Sequence, residues 1–282
     1  MLQKKTNKYF FTLIFLFRIG FSQDYLPSTK IALDKIRSNR EFFPDLIASS
    51  GSRLVFIDKK NHTLGSYYDD SLRVVGGYGS FNQSFIDPVD IVIDKLDIII
   101  LDEAAGRLST FDFNMNFIQG YTLARDHLVY PSLFEVDSRK NIYFYSPEDG
   151  ALFQSNHATQ SINKFIDYSS TPVPQNCLSD IYINNNDHLG VLFGCLNELH
   201  VYNRSGRLQR KYAIDLKNPQ KLIFINQGWS VINSKAQVHF INGPLFDLSI
   251  EKETVLDSYF DSENLFILTK TNIYIFDSNI FQ

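Results

Sequence analysis

Sustained helical periodicity is missing from this 282-residue chain, which excludes a helix-bundle architecture. Clustered positive charge is missing too. The 27 Lys and Arg are outnumbered by 31 Asp and Glu, for a formal net charge of −4. The longest basic clusters, 204–211 and Lys59-Lys60, read as strand edges and turns. Nucleic-acid binding rests on cationic contacts to phosphate, so no nucleic-acid partner is expected. A spanning helix needs roughly 20 apolar residues, and the apolar run Tyr9–Phe17 stops at Arg18, so no transmembrane anchor is expected. The chain contains no Gly-x-Ser-x-Gly, no Gly-x-x-x-x-Gly-Lys and no His-Glu-x-x-His, which removes the common nucleophile, phosphate and zinc signatures. Its histidines do not converge: His62 and His188 read as turn residues, His200 and His239 as third-strand residues, and His127 and His157 as inter-strand residues.

Cysteine is scarce, with two residues, Cys177 and Cys195. They flank a hairpin that turns near Asp187, so a small bulge or a diagonal pairing would bring the thiols together. A disulfide between them is expected, the alternative being two buried free thiols.

What the N-terminus does contain is Lys4, Lys5 and Lys8, then Tyr9–Phe17, then Gly20-Phe21-Ser22. A basic start, a short apolar run and a small-x-small site form the layout of a secretory signal peptide over residues 1–22, with cleavage after Ser22. No Cys stands at that site to carry a lipid, so a periplasmic or secreted protein is expected. Removal of the leader takes away Lys4, Lys5, Lys8 and Arg18 and no acidic residue, leaving the remainder more acidic.

The feature that fixes architecture is a repeat. Asp102-x-x-Ala105-x-Arg107-Leu108-x-x-Phe111-Asp112 is echoed upstream by Asp58-x-x-Asn61-x-Thr63-Leu64-x-x-Tyr67. Strand-opening phrases recur at 43–47, 87–91, 130–134, 177–181, 218–222 and 255–259. Each is followed by an apolar run, a polar turn and a second run, as in 91–93 then 98–101 and in 133–136 then 142–145. Asp137-Ser138-Arg139-Lys140-Asn141, Asn184-Asn185-Asn186-Asp187 and Asp261-Ser262-Glu263-Asn264 supply the turn chemistry. A period of roughly 40 to 45 residues with four short strands per unit indicates an all-β, six-bladed β-propeller of four-stranded antiparallel blades. The propeller is expected over residues 43–282, preceded by an N-terminal segment at 23–42. The sixth unit reaches Gln282 after three strands, and 29–36 is the unassigned strand-like stretch. That stretch is expected to complete the last blade and so close the ring.

The second unit can be compared with a known family. Gly76-Gly77-Tyr78-Gly79-Ser80-Phe81, Pro88-Val89-Asp90-Ile91-Val92-Ile93-Asp94, Ile98-Ile99-Ile100-Leu101-Asp102 and Arg107-Leu108-x-x-Phe111-Asp112 together resemble one NHL-type propeller repeat. The resemblance implies a six-bladed propeller, often secreted, that uses its broad faces for recognition. Unit three departs from the pattern, with Ser146 and Ala151 where unit two has Asp102 and Arg107, and later units keep mainly apolar anchors. The repeated Asp, Arg and aromatic residues read as turn caps and strand packing, and Trp229 reads as packing.

Candidate binding residues are Asp45, Asp90, Asp180 and Asp257, which fall near the starts of innermost strands, where side chains can line a central channel. The function expected first is an exported, non-catalytic recognition or scaffold module. It would act as a monomer, presenting a propeller face to a protein, peptide or glycan, with no catalytic residues and no required cofactor. The alternative is a metal-dependent hydrolase or lyase of lactonase type, with Ca2+ held by those carboxylates in the channel. A third possibility, the sensor part of an envelope assembly, differs from the first in its partner.

Overall fold

The computed structural model describes residues 24–37, 41–123, 130–156, 161–174 and 176–281. The expected leader, His127 and His157 lie outside them. Six antiparallel sheets form six blades, each numbered here from the innermost strand outward. Blade one is Leu46–Ser50, Arg53–Asp58, Thr63–Tyr68 and Ser71–Gly76, and blade two is Pro88–Asp94, Asp97–Asp102, Arg107–Phe111 and Phe117–Thr122. Blade three is Leu133–Val136, Asn141–Ser146, Ala151–Asn156 and Ile162–Asp167, and blade four is Leu178–Ile183, Leu189–Phe193, Glu198–Tyr202 and Leu208–Ala213. Blade five is Pro219–Ile225, Gly228–Asn233, Gln237–Phe240 and Leu245–Leu248. Blade six is Asp257–Phe260, Asn264–Leu268, Asn272–Asp277 and, from the N-terminal side, Thr29–Ala32. The innermost strands touch one another in cyclic order, and the sixth touches the first, so the ring is closed.

Burial follows position within a blade. Second strands lie between neighbouring blades and are buried on both faces: Leu54–Ile57, Ile142–Tyr145 and Trp229–Ile232 are all buried. The fourth strand of blade four, Leu208–Ala213, is exposed at nearly every position and carries Arg210 and Lys211, which discourage edge pairing. Six apolar clusters fill the six inter-blade spaces. The cluster between blades six and one joins Phe266, Leu268 and Ile273 to Leu54, Phe56 and Tyr67, and Leu33 and Ile36 pack there too. Tight fit between blades also limits residue choice: a Cβ on Gly190 would meet the Trp229 ring at 2.6 Å.

The turns are held by the side chains read as turn formers. Asp137 Oδ1 accepts from the backbone N–H groups of Arg139 and Asn141, Asn184 Oδ1 from those of Asn186 and His188, and Asp261 Oδ1 from those of Glu263 and Asn264. At the end of the second strand of blade two, buried Asp102 accepts from the backbone N–H groups of Ile86, Asp87 and Ala105. Asp58 does the same for Phe43 and Asn61 in blade one. Each carboxylate thus fastens the turn after its strand to the segment that enters its blade. Arg107, 3.6 Å from Asp102, donates in turn to the carbonyls of Ser80, Phe81 and Ser84 and sets the loop between blades one and two. Gly76 opens that loop at φ +112°, where a Cβ would lie 2.8 Å from the His62 carbonyl.

Two N-terminal features depart from expectation. Residues 29–36 are not one strand: Thr29–Ala32 pairs with Asn272–Asp277, and Leu33–Arg37 turns into a short helix. Leu33 and Ile36 stand three apart, so one helical turn buries both, whereas a strand would send them to opposite faces. Blade five gains a fifth strand, Asp24–Tyr25, lying parallel to Leu245–Leu248. Cys177 and Cys195 are joined by a disulfide, with Cα atoms 5.2 Å apart. The hairpin pairs Leu178 with Phe193, so Cys195 stands one residue past the position opposite Cys177 and the bridge crosses the open end of the hairpin diagonally.

Candidate functional site

The innermost strands surround a channel cavity of about 220 Å³. Alternation along a strand sends every second side chain inward. In blades two, four and five a β-bulge falls just before the residue that faces the channel, between Pro88 and Asp90, Leu178 and Asp180, and Pro219 and Lys221. A bulge re-aims the side chain that follows it. Asp90, Asp180 and Lys221 all line the cavity, with Asp257 from blade six and Glu135 from blade three.

The three aspartates come from alternate blades and make the same contact. Asp90 Oδ2 accepts from the backbone N–H of Phe134 at 2.9 Å, Asp180 Oδ2 from Leu222 at 2.7 Å, and Asp257 Oδ2 from Ile47 at 2.9 Å. Each carboxylate of an even-numbered blade therefore holds the innermost strand of the next blade. Asp90 also accepts from the N–H of Ile91. Lys221 Nζ lies 3.2 Å from Asp257 Oδ1 and 3.8 Å from Asp180 Oδ1, a cation set among these carboxylates.

Asp90, Glu135 and Asp180 are buried close together beside the Lys221 ammonium, and burial of neighbouring carboxyls disfavours their charged forms. Burial pushes the Glu135 carboxyl well above the usual range, and the neighbouring charges of Asp90 and Asp180 push it further. Asp90 is raised by burial, against the opposing pull of Lys221 and of the Phe134 and Ile91 N–H groups. Asp180 is pushed up to about 7 by burial despite Lys221 and the Leu222 N–H. Burial disfavours the Lys221 ammonium, but Asp180, Asp257 and Asp90 outweigh it and hold the group above its ordinary value. The Tyr182 and Tyr259 hydroxyls on the same wall are raised by burial and stay protonated. The channel therefore presents carboxyls whose charged forms burial disfavours, gathered around the Lys221 ammonium.

Asp45 is not in this ring. Its carboxylate accepts from the Lys59 N–H at 2.9 Å, at the turn after the second strand of blade one. Relative to the opening proline it stands one residue earlier than Asp90 does, and a shift of one residue sends a strand side chain to the other face. Leu46 occupies the matching position. Sequence reasoning missed Lys221 and Glu135 as channel residues. Lys221 had a legible signal, because Pro219-Gln220-Lys221 aligns with Pro88-Val89-Asp90.

Among the described residues, no group of three or more His, Cys, Asp and Glu is spaced to hold a metal ion. His200 lies in the third strand of blade four, with Nε2 3.1 Å from Glu198. His239 lies in the third strand of blade five. No described helix is long and apolar enough to cross a membrane.

No protein-family model matches the chain, and no curated protein matches it in sequence. Solved structures do match in fold. A catalytically inactive virginiamycin B lyase from Staphylococcus aureus, with quinupristin, superposes with a TM-score of 0.63 at 11% identity, over 88% of this chain and 97% of that one. A protein of unknown function from Bacteroides thetaiotaomicron gives 0.61 at 10% identity, over 83% of this chain and 70% of that one. The extracellular domain assigned to a one-component system from the same organism gives 0.58 at 11% identity, over 92% of this chain and 43% of that one. At identities this low the superpositions show a shared fold and nothing more.

Proposed function

We propose that the chain is an exported propeller of NHL type that works as a non-catalytic recognition or scaffold module. In this reading it acts as a monomer in the periplasm or outside the cell and offers a broad face to a protein, peptide or glycan. The observation that carries it is the commitment of the channel carboxylates. Asp90, Asp180 and Asp257 each take a backbone N–H of the adjacent blade, and Lys221 answers two of them. Ca2+ requires 6–8 oxygen ligands, and a set already turned toward amide hydrogens and an ammonium does not fit it. The acidic ring therefore serves to fasten blades. Export is supported by the basic-apolar-small pattern of residues 1–22 and by the Cys177–Cys195 bridge, since disulfides persist in oxidising compartments.

The test is a thermal melt of chelator-treated protein titrated with Ca2+, Zn2+ and Mg2+. A cation held at hundredfold excess over its dissociation constant would add about 2.7 kcal/mol; the expected result is no ion-specific shift. A saturable shift with one ion that disappears in Asp180→Asn overturns the reading and favours the metal-dependent hydrolase or lyase.

A further inference from the structure

A second cavity, of about 380 Å³, opens between blades two and three beside the channel mouth, and shares Asp94 and Val136 with the channel lining. Ligand sites are mostly apolar clefts of roughly 300–1,000 Å³ with a few placed polar groups. This cleft has that make-up. Ile99, Leu108, Val136 and Ile142 give it apolar walls, and Leu108 and Ile142 are buried in the inter-blade packing that fixes its shape.

Its charges are unevenly committed. Lys140, from the first turn of blade three, is bonded to Asp94 of blade two, and this ion pair ties together the two hairpin turns that border the cleft. Arg139 and Asp97 flank that pair on the same two turns, and neither forms an ion pair among the described residues. The cleft thus offers one guanidinium and one carboxylate, both unmatched, above an apolar pocket. An apolar ligand alone would leave both charges idle, and an anion alone would set its charge against Asp97. A zwitterion with an apolar side chain answers every feature: its carboxylate pairs with Arg139 in the bidentate geometry guanidinium favours, its ammonium pairs with Asp97, and its side chain fills the cleft.

We propose that the cleft between blades two and three binds a large apolar α-amino acid through Arg139 and Asp97. This site is separate from the broad-face recognition described above and does not depend on it.

Isothermal titration of the full chain with L-phenylalanine, L-tryptophan and L-leucine tests it, alongside 3-phenylpropionate, which lacks the ammonium, and phenethylamine, which lacks the carboxylate. The expected result is saturable binding of at least one amino acid and at least tenfold weaker binding of both truncated analogues. Arg139→Gln and Asp97→Asn, both at the cleft rim, are expected to weaken the amino acid at least tenfold while leaving the melting midpoint in place. Lys221→Met, in the channel, removes a buried charge partner and is expected to lower the melting midpoint, but, titrated below that midpoint where the protein is folded, to leave amino-acid binding unchanged. The proposal is overturned if none of the amino acids binds, if the analogues bind as tightly, or if binding survives in both rim variants. It is overturned equally if folded Lys221→Met loses binding and the rim variants do not, because the ligand then sits in the channel.

Discussion

Glu253 shows how one carboxylate can tie an inter-blade connection to the blade that follows it. It lies in the connection from blade five to blade six and accepts from the Thr271 hydroxyl at 2.6 Å, the Tyr274 hydroxyl at 2.8 Å and the Asn272 side-chain amide. Burial alone would raise its pKa, but hydrogen bonds from Thr269, Thr271, Tyr274 and Asn272 outweigh burial and bring it down to about 2. An unfolded glutamate titrates near pH ~4.3. Between those values the unfolded chain binds a proton that the folded chain does not, so stability rises with pH across that window. The contribution is complete above about pH 5 and is lost as the pH falls toward 2. Glu253→Gln should accordingly melt below the parent at pH 7, and the two melting curves should converge as the pH is lowered to 2.5. A gap of constant size across that range would mean that the ionised carboxylate is not what holds the connection.

Among elements, the second blade shows most clearly what the sequence made legible. Asp102 was readable as a cap because it ends an apolar run just before a turn, and it accepts three backbone N–H groups. Asp137, Asn184 and Asp261 were legible for the same reason, since short polar side chains capture turn amides locally. Features set by distant partners were not legible. Asp24–Tyr25 is too short to show a period, and its pairing depends on Leu245–Leu248, far along the chain. The turn of helix at Leu33 depends on a pocket between blades six and one that only the closed ring creates. The channel lining was half legible: Asp90, Asp180 and Asp257 were readable as channel residues from their type and place in the repeat, while strand parity puts Asp45 at a turn and Lys221 in the lining. The repeat also sets a test. Asp102→Ala leaves three part-buried amides without their acceptor and Arg107 without its carboxylate, at a cost on the order of 3 kcal/mol. Arg107→Gln should cost less but speed amide exchange across 79–85, because its guanidinium holds the Ser80, Phe81 and Ser84 carbonyls. Unchanged exchange there would show that the glycine-rich loop keeps its shape without the arginine.

At the scale of the whole molecule, the ring is closed by chain that comes from before the first blade. Thr29–Ala32 covers the edge of Asn272–Asp277, Asp24–Tyr25 covers the edge of Leu245–Leu248, and Leu33 and Ile36 fill the space between blades six and one. An open ring would expose two strand edges and an apolar seam together, and unpaired edges invite association with other chains. Each of Leu33 and Ile36 is 1% exposed, and truncating a buried residue of this kind to Ala costs about 2–5 kcal/mol. In a protein of this size each kcal/mol corresponds to about 2–4 °C of melting temperature. Leu33→Ala should therefore lower the midpoint while leaving a single cooperative transition, because both strand pairings remain. A chain beginning at Phe42 loses pairing and packing at once, so its midpoint should fall further than that of Leu33→Ala combined with Ile36→Ala, and it should aggregate on heating. Should the shortened chain melt with the double variant and remain monomeric, closure would rest on the apolar seam alone and the two added strands would contribute nothing to it.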